Sequence, residues 1–500
     1  MDQPESQPLI SDRFLINGTL TSVDFRDDGK IRWSDGHTDR CLAVEKEVLG
    51  FASEGSRIRI RAIVENGGGL CCVGSRGKLV RKDFVFEIAS ADSHRLWCQK
   101  LREYIDSLET KHQLHAKAVT QTLDLSKYDG LICVSGDGIL VEVVNGLLER
   151  DDWDSAIKMP IGVIPAGTGN GMAKSLLDSV GDPCSPINAV LAIIRGHKCS
   201  LDVATILQGE TKFFSVLMLA WGLVADIDIE SEKYRWMGSA RLDFYALQRI
   251  LHLRKYNGCI SFVPAPGFEA FGEPSTYKGE STSGLNTFNP SQEEPIKVQQ
   301  HGYQGPNIEL EKLQWRTIDG PFVSIWLHNV PWGGEDTLAA PDAKVPLKKM
   351  KQFQNNVESG IASREKIYVC GCGGGVVMEF VLSLRTKSLH QSRPLEFSDG
   401  YLDLIIIRDC PKLPLLALMS ELNKGNHIKS PYVMYFKVKA FVLEPGPCTE
   451  DPTKGGIIDS DGEVLARGNG TYKCDQKALM AYDNLQIAVD QGLATVFSPI

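Results

Sequence analysis

Two strand–glycine turn–helix units stand close together between Leu131 and Ser175, and that pattern leaves a chain few folds. Each unit needs a strand buried on both faces of a sheet, with a helix packed back on that sheet, which is a parallel α/β arrangement. The first unit is LICVSGDGILVEVVNGLLER, Leu131–Arg150. Leu131–Val134 is a continuous apolar run. Gly136 and Gly138 flank Asp137 and permit positive φ and a close approach of backbone to ligand. Beyond them Ile139, Val143, Val144, Leu147 and Leu148 fall on one helical face, with Glu142, Asn145 and Glu149 off it. The N–H groups of the turn and of the helix N-terminus then point to one place, an anion site. Asp137 stands there to accept a proton or orient a hydroxyl.

The second unit is IGVIPAGTGNGMAKS, Ile161–Ser175. Ile161–Ile164 reads as a buried strand ended by Pro165. Gly167, Thr168 and Gly169 form a loop whose N–H groups and hydroxyl suit phosphate. Asn170 is the expected N-cap of a helix carrying Met172, Leu176 and Leu177. Neither loop is a Walker A sequence and neither has G-x-G-x-x-G spacing. Singly, each also fits a plain tight turn. As a pair in one α/β block they suit transfer of a phosphoryl group to a hydroxyl.

The rest of the chain frames this block. The 500 residues are 43% hydrophobic and 23% charged, ordinary for a globular protein with room for about three domains. A net charge of −9 gives no pull toward nucleic acid or anionic lipid, so any membrane contact is local. The longest apolar stretch, Phe213–Ala225, is shorter than the ~20 residues a bilayer needs and reads as a strand lining a lipid cavity. Met1–Asp12 is a polar, acidic tail without the marks of a signal peptide. The thirteen cysteines have no zinc spacing and read as reduced cytosolic thiols.

Arg13–Ser107 reads as a small β domain of short runs separated by turns. A helix, Ser93–Leu108, closes it with Leu96, Trp97 and Leu101 on one face and Asp92 or Ser93 as cap. Strands closed by one Trp-bearing helix resemble a pleckstrin-homology-like fold. Arg26, Lys30 and Arg32 lie where such domains can hold phosphoinositides, although Asp27 and Asp28 beside them equally suit a solvated hairpin. His112 and His115 read as surface or pocket residues. After a helix at Ser185–Arg195 the chain turns β-rich and mainly antiparallel, with one helix at Tyr234–Arg254. Pro264–Glu311 has a loop composition and no period, and is expected to be disordered.

SGDG, EVVNGLLERDDW and PAGTGN together resemble the catalytic core of the diacylglycerol kinase superfamily. SGDG followed by EVVNG looks like its sphingosine kinase branch. LAWG-x-x-AD-x-D-x-ESEKYR-x-x-G-x-x-R, within Phe213–Arg241, is similar to the lipid-recognition segment of sphingosine kinases. SDGYLDL at Ser398–Leu404 and DSDGE at Asp459–Glu463 are further family features. The resemblance runs from about Thr110 onward and its wording is most like plant members, which phosphorylate long-chain bases. It implies an α/β nucleotide lobe of the diacylglycerol/NAD kinase type over 109–200 and a β-rich antiparallel lipid-binding lobe over 201–500, both preceded by the PH-like domain at 13–108. It implies ATP as co-substrate with Mg²⁺, a sphingosine-type substrate, and a cytoplasmic enzyme peripherally attached to intracellular membranes. A soluble NAD kinase, which shares the chemistry, is disfavoured by the LAWG–ESEKYR block and the terminal β lobe.

By this resemblance Asp137 is the general base. Ser135, Gly136, Gly138, Gly167, Thr168 and Gly169 hold ATP phosphates, with Ser135 and Asp137 also facing the lipid hydroxyl. Thr110, Glu142, Arg235 and Arg241 carry over as nucleotide contacts, and Asp461, Gly462 and Glu463 close the site from the end of the chain. Asp228 would pair with the substrate's ammonium; its other reading is a capping acid before the Tyr234 helix.

Two departures stand out. Family members carry a strand and a VNP-x-GG loop before the Thr110 segment, and this chain has neither. A segment at Val345–Glu396 separates Ala343-Lys344 from Phe397, and Lys366–Leu384 inside it reads strand, GCGGG, helix. One deletion and one insertion at intact boundaries have the pattern of exon skipping with intron retention, or equally of an erroneous gene model. The missing loop implies a weakened grip on ATP, and it leaves open a chain that only binds lipid or phosphoinositide.

Overall fold

The computed structural model describes residues 6–34, 39–66, 78–107, 113–238, 240–277, 301–343, 363–371, 376–382, 397–472 and 477–500. The chain divides into two compact units, Met1–His112 with Arg364–Phe380, and Gln113–Ser363 with Val381–Ile500.

The first unit is built on seven strands, Pro8–Ile16, Thr19–Arg26, Lys30–Ser34, Asp39–Ala43, Val48–Glu54, Arg57–Asn66 and Lys78–Glu87. They are antiparallel neighbours, with the first strand beside both the second and the seventh. The expected tail at 1–12 therefore enters the sheet at Pro8. Helix Ala91–Ser107 packs Trp97 edge-on to Phe14, with ring centroids 4.8 Å apart. Its buried stripe is Trp97 and Leu101, whereas Leu96 is 46% exposed, contrary to the expected face. Ser90, not Asp92 or Ser93, caps this helix, because its Oγ accepts the Ser93 N–H at 3.3 Å. Arg26 lies 3.6 Å from Asp24, while Lys30 and Arg32 reach Asp28 at 3.5 and 2.7 Å. Inside the 345–396 segment, Val376–Leu382 is a strand and not the expected helix. Its β-branched and aromatic residues favour that outcome.

The second unit begins with the two expected parallel strands, Gly130–Ser135 and Ile161–Pro165, paired from Leu131–Ile161 to Ser135–Pro165. Ile161 also lies parallel to Val496 of the terminal strand Leu485–Ser498. That long strand pairs with His197–Gln208 and Val433–Cys448, which joins the α/β block to an antiparallel layer. In the same layer Met218–Gly222 runs between Ser324–His328 and Ile457–Ser460.

Helix Asp137–Leu148 is buried nearly all round. Glu142 and Asn145, expected off its apolar face, are only 6% and 3% exposed. They are tolerated because each finds internal partners. The Asn145 amide clamps Phe214, donating to its carbonyl at 2.7 Å and accepting its N–H at 3.0 Å. The single helix expected at Tyr234–Arg254 is two pieces, a 3₁₀ stretch Ser231–Met237 and helix Ala240–Leu251. Gly238, at φ 63°, breaks it. The 264–311 stretch carries regular structure at its flanks, where Glu273–Ser275 pairs with Trp315–Asp319 and the Tyr303 N–H reaches the Leu148 carbonyl at 2.7 Å. Among the described residues no helix is long and apolar enough to cross a membrane.

Candidate active site

The two glycine turns meet each other. A Cβ built on Gly136 falls 2.7 Å from the Gly169 carbonyl oxygen, and one on Gly167 falls 2.4 Å from both Cα and N of Gly136. These glycines are needed for close approach and not for positive φ, since Gly136 has φ −78°. On the outer side there is room. A Cβ on Gly138 would meet only Glu463 Oε1 and one on Gly169 only Asp137 Oδ2, each at 3.8 Å. Gly167, Thr168 and Gly169 are exposed. Two glycine turns with free space above their backbone form a cradle that admits phosphate.

Asp137 sits at the junction. Its own N–H donates to the Gly169 carbonyl at 3.0 Å. Its carboxylate accepts the N–H groups of Gly171 at 2.6 Å and Met172 at 3.1 Å. The first turn's acid therefore caps the second unit's helix, Gly171–Asp178, in place of the expected Asn170. Asn170 instead bridges to the Gly167 carbonyl and the Glu335 carboxylate at 2.8 and 2.7 Å. Burial pushes Asp137 up to about 6, against the pull of the two backbone bonds. Ser135 is buried immediately before this turn.

The end of the chain folds back to the same place. Asp461, at φ 56°, takes the N–H groups of Val216, Leu217 and Met218 at 3.0, 3.0 and 2.7 Å. It shapes the turn that precedes LAWG. Gly462, at φ 83°, then swings Glu463 over Gly138, where it receives a bond from Gln113. Glu142, expected as a nucleotide contact, binds backbone. Its carboxylate accepts the N–H groups of Leu114 and Ala116 at 2.8 and 2.9 Å and so starts helix His115–Thr122. Thr110 and His112 lie outside the described residues, as does the Leu108–Thr110 junction.

Burial lifts Asp461 and Glu463 to about 7 each, with Glu142 and Asp461 adding to the rise at Glu463. Carboxyls raised on folding contribute stability that is present below the usual carboxylate range and lost as pH rises through the folded value. The melting temperature of this unit should therefore fall between about pH 5 and pH 8. Glu463→Gln should flatten that fall by on the order of 2–3 kcal/mol, because Gln cannot ionise. Thermal melts over that range check this, and an unchanged slope in the variant would exclude Glu463 as a source.

Asp228 lies at the other end of the site. Gly222, at φ 89°, turns strand Met218–Gly222 into helix Leu223–Glu230, and a Cβ there would strike the Val323 carbonyl at 2.6 Å. The two acids of the ADID motif then separate. Asp226 is fully buried against Arg249 and the Tyr256 hydroxyl, at 2.9 and 2.7 Å. Asp228 remains partly accessible. It is not the cap of the next segment, since Ser231 bonds its carbonyl and not its carboxylate. Burial raises Asp228, and Arg241 opposes the rise. Arg235 and Arg241 converge on Glu232, at 2.8 and 2.6 Å, and Arg241 also donates to Ser231 at 2.8 Å. Both guanidiniums pair with Glu232, and Arg241 also acts on Asp228. A small apolar cavity lies close by, lined by Leu223, Val224, Trp326, Leu418, Met419 and Val433. The helix after LAWG, and not the strand, contributes its wall.

Two participants carried no sequence signal of their own: Gln113 and Glu335 become visible only when distant segments meet. Asp459 belongs to the DSDGE motif, which by itself assigned it no role.

Residues 91–206 match the diacylglycerol kinase catalytic domain family, and residues 394–482 match the YegS C-terminal NAD kinase beta sandwich-like domain. With paired glycine turns in the first and a β layer in the second, and with the relatives that follow, these define a lipid kinase of the diacylglycerol kinase class. The whole chain is 50% identical to Sphingosine kinase 1 of Arabidopsis thaliana, covering 98% of that protein. It is 50% identical to Sphingosine kinase 2 of the same plant over 98% of this chain and 97% of the relative. Sphingosine kinase 1 of Homo sapiens is 37% identical over 71% of this chain and 76% of its own length. The chain belongs to the sphingosine kinase family.

Proposed function

We propose that this chain moves the γ-phosphoryl group of ATP onto the primary hydroxyl of a sphingosine-type long-chain base. The observation that carries the reading is the placement of Asp137 where both glycine turns meet, with Glu463 over Gly138 beside it. Asp137 takes the hydroxyl proton, the turns hold the phosphates, and Asp228 receives the ammonium. Such transfer rests on positioning and charge stabilisation more than on covalent chemistry. Mg²⁺ would arrive on the nucleotide and offset charge on its phosphates; among the described residues no cluster of three or more His, Cys, Asp or Glu is arranged to hold a metal. The test is phosphate transfer from ATP to sphingosine by the purified chain. Formation of the 1-phosphate is the expected result, and none at any ATP concentration would overturn the reading.

Asp228→Asn should raise KM for sphingosine about 10–100-fold, the scale of a lost charge-assisted hydrogen bond, and spare ATP binding. It should also narrow the preference for sphingosine over diacylglycerol, which has no amine. Competition kinetics with the two lipids check this, and an unchanged ratio would assign Asp228 to structure.

The supports for peripheral contact with intracellular membranes are local, as the net charge requires. Phe244, Leu247 and Leu251 on one helix and Leu413 and Leu416 on its neighbour Lys412–Ser420 are exposed apolar side chains, and Trp236 is 83% exposed nearby in sequence. A ridge of this kind suits a bilayer surface. We also read the first unit as PH-like, from its antiparallel strands and closing Trp97 helix. A phosphoinositide there would have to draw Arg26, Lys30 and Arg32 away from Asp24 and Asp28.

A further inference from the structure

Asp459 stands apart from the contacts that Asp137, Asp461 and Glu463 make. It lies on strand Ile457–Ser460, opposite Ala220 of the strand that turns at Gly222 into the helix carrying Asp228. Its side chain is 0% exposed; the Asp228 carboxyl shares a hydrogen bond with it, and among the described residues its oxygens have no other partner. A buried carboxyl whose one partner is another carboxyl is costly to fold, and a structural role supplies no return here. The Asp228 carboxyl is close enough that each alters the other's hold on its proton.

We propose that Asp459 and Asp228 together form the receptor for the substrate's ammonium group, so that the site selects a cationic amino lipid over a neutral one. This rests on the kinase reading above and extends it by a second acid. Two facing carboxylates, one of them fully buried, do not both stay charged without a cation. Burial, Asp228, Asp461 and Glu463 all push Asp459 well above the usual carboxylate range, while Arg241 and Glu232 act on Asp228 with opposite signs. Arg241 cannot serve both acids, because it is committed to Glu232 and Ser231. In the empty site one proton lies between the two carboxyls, and Asp459, the more buried, carries it. An arriving ammonium offers one N–H to each carboxyl and takes the place of that proton, which leaves to solvent. One cation enters as one leaves, so the charge of the buried pocket is unchanged. A neutral lipid head supplies no such replacement.

Binding should therefore strengthen about tenfold per pH unit wherever the empty pair holds its proton and the amine stays charged. The measurement is calorimetric binding of a short-chain, water-soluble sphingoid base to the full chain without nucleotide, from about pH 6 to about pH 8, in buffers of differing ionisation heat. The parent should release about one proton per base bound. Asp459→Asn, which mimics the protonated acid in shape, should bind the base about 10–100-fold more weakly and release none. Its affinity for an amine-free analogue and its KM for ATP should match the parent, and its melting temperature should be no lower, which a merely structural defect would not allow. No proton release by the parent, or parent-like affinity in Asp459→Asn, would overturn the pairing. A parent that phosphorylates sphingosine but fails these tests leaves the kinase reading standing; a parent that transfers no phosphate removes that reading first.

Discussion

Asp137→Asn should lower kcat for phosphoryl transfer by about 10²–10⁴, the scale of a positioned general base, with ATP and sphingosine affinities within a few-fold of the parent. The geometry gives this variant a second, separable effect. Both carboxylate oxygens accept N–H groups at the start of helix Gly171–Asp178, and each oxygen keeps a further lone pair for the substrate hydroxyl. Asn retains one acceptor and turns an NH₂ toward the other N–H, so a loss of about 1–3 kcal/mol of stability should accompany the kinetic defect. The two are told apart by pH. Asp137 is lifted to about 6, so as a base it is ionised above that value and kcat/KM of the parent should fall as pH drops through it. The variant should lose that acid limb along with its rate. A variant within a few-fold of the parent, or one retaining the limb, would mean that Asp137 is only the cap of the second helix.

The parallel pair of strands and their glycine turns were legible because a doubly buried strand and a following helix leave an apolar run, two glycines and a 3.6-residue period. Which polar residue serves which partner was not. Glu142 and Asn145 fall off the helix's apolar face by periodicity, yet both are buried, because the helix is packed on every side and its polar positions clamp Leu114, Ala116 and Phe214. Local rules failed in the same way at both helix caps. Asn170 has the right chemistry and position, but Asp137 from the other glycine turn reaches the N–H groups first; Ser93 has the right chemistry but lies inside a helix that begins at Ala91, and Ser90 caps it. Gly238 broke a helix whose pattern continues on either side of it. Asp459 is the extreme case. The DSDGE motif marks its segment, but its link to Asp228 appears only where its strand faces the helix of Asp228.

Gly167→Ala tests whether the two turns work as one device. The added Cβ would lie 2.4 Å from Cα and N of Gly136. Those are backbone atoms, so no side chain can swing aside, and the loops must part by roughly 1 Å to restore ordinary contact at about 3.5 Å. The displacement falls on the N–H groups facing the phosphates and on the Gly169 carbonyl that anchors the Asp137 N–H. Misplacing reacting groups by about 1 Å costs on the order of 10²-fold, and the weaker phosphate grip adds to it, so kcat/KM for ATP should fall at least that far. Because Gly167 is exposed, the lobe should still fold, with a melting temperature only a few degrees lower. Thr168→Ala, which removes a hydroxyl but shifts no backbone, should cost about tenfold or less, the scale of one hydrogen bond. If Gly167→Ala kept parent activity while Thr168→Ala lost it, phosphate would be held by the side chain of the second loop, and the contact between the two turns would be packing alone.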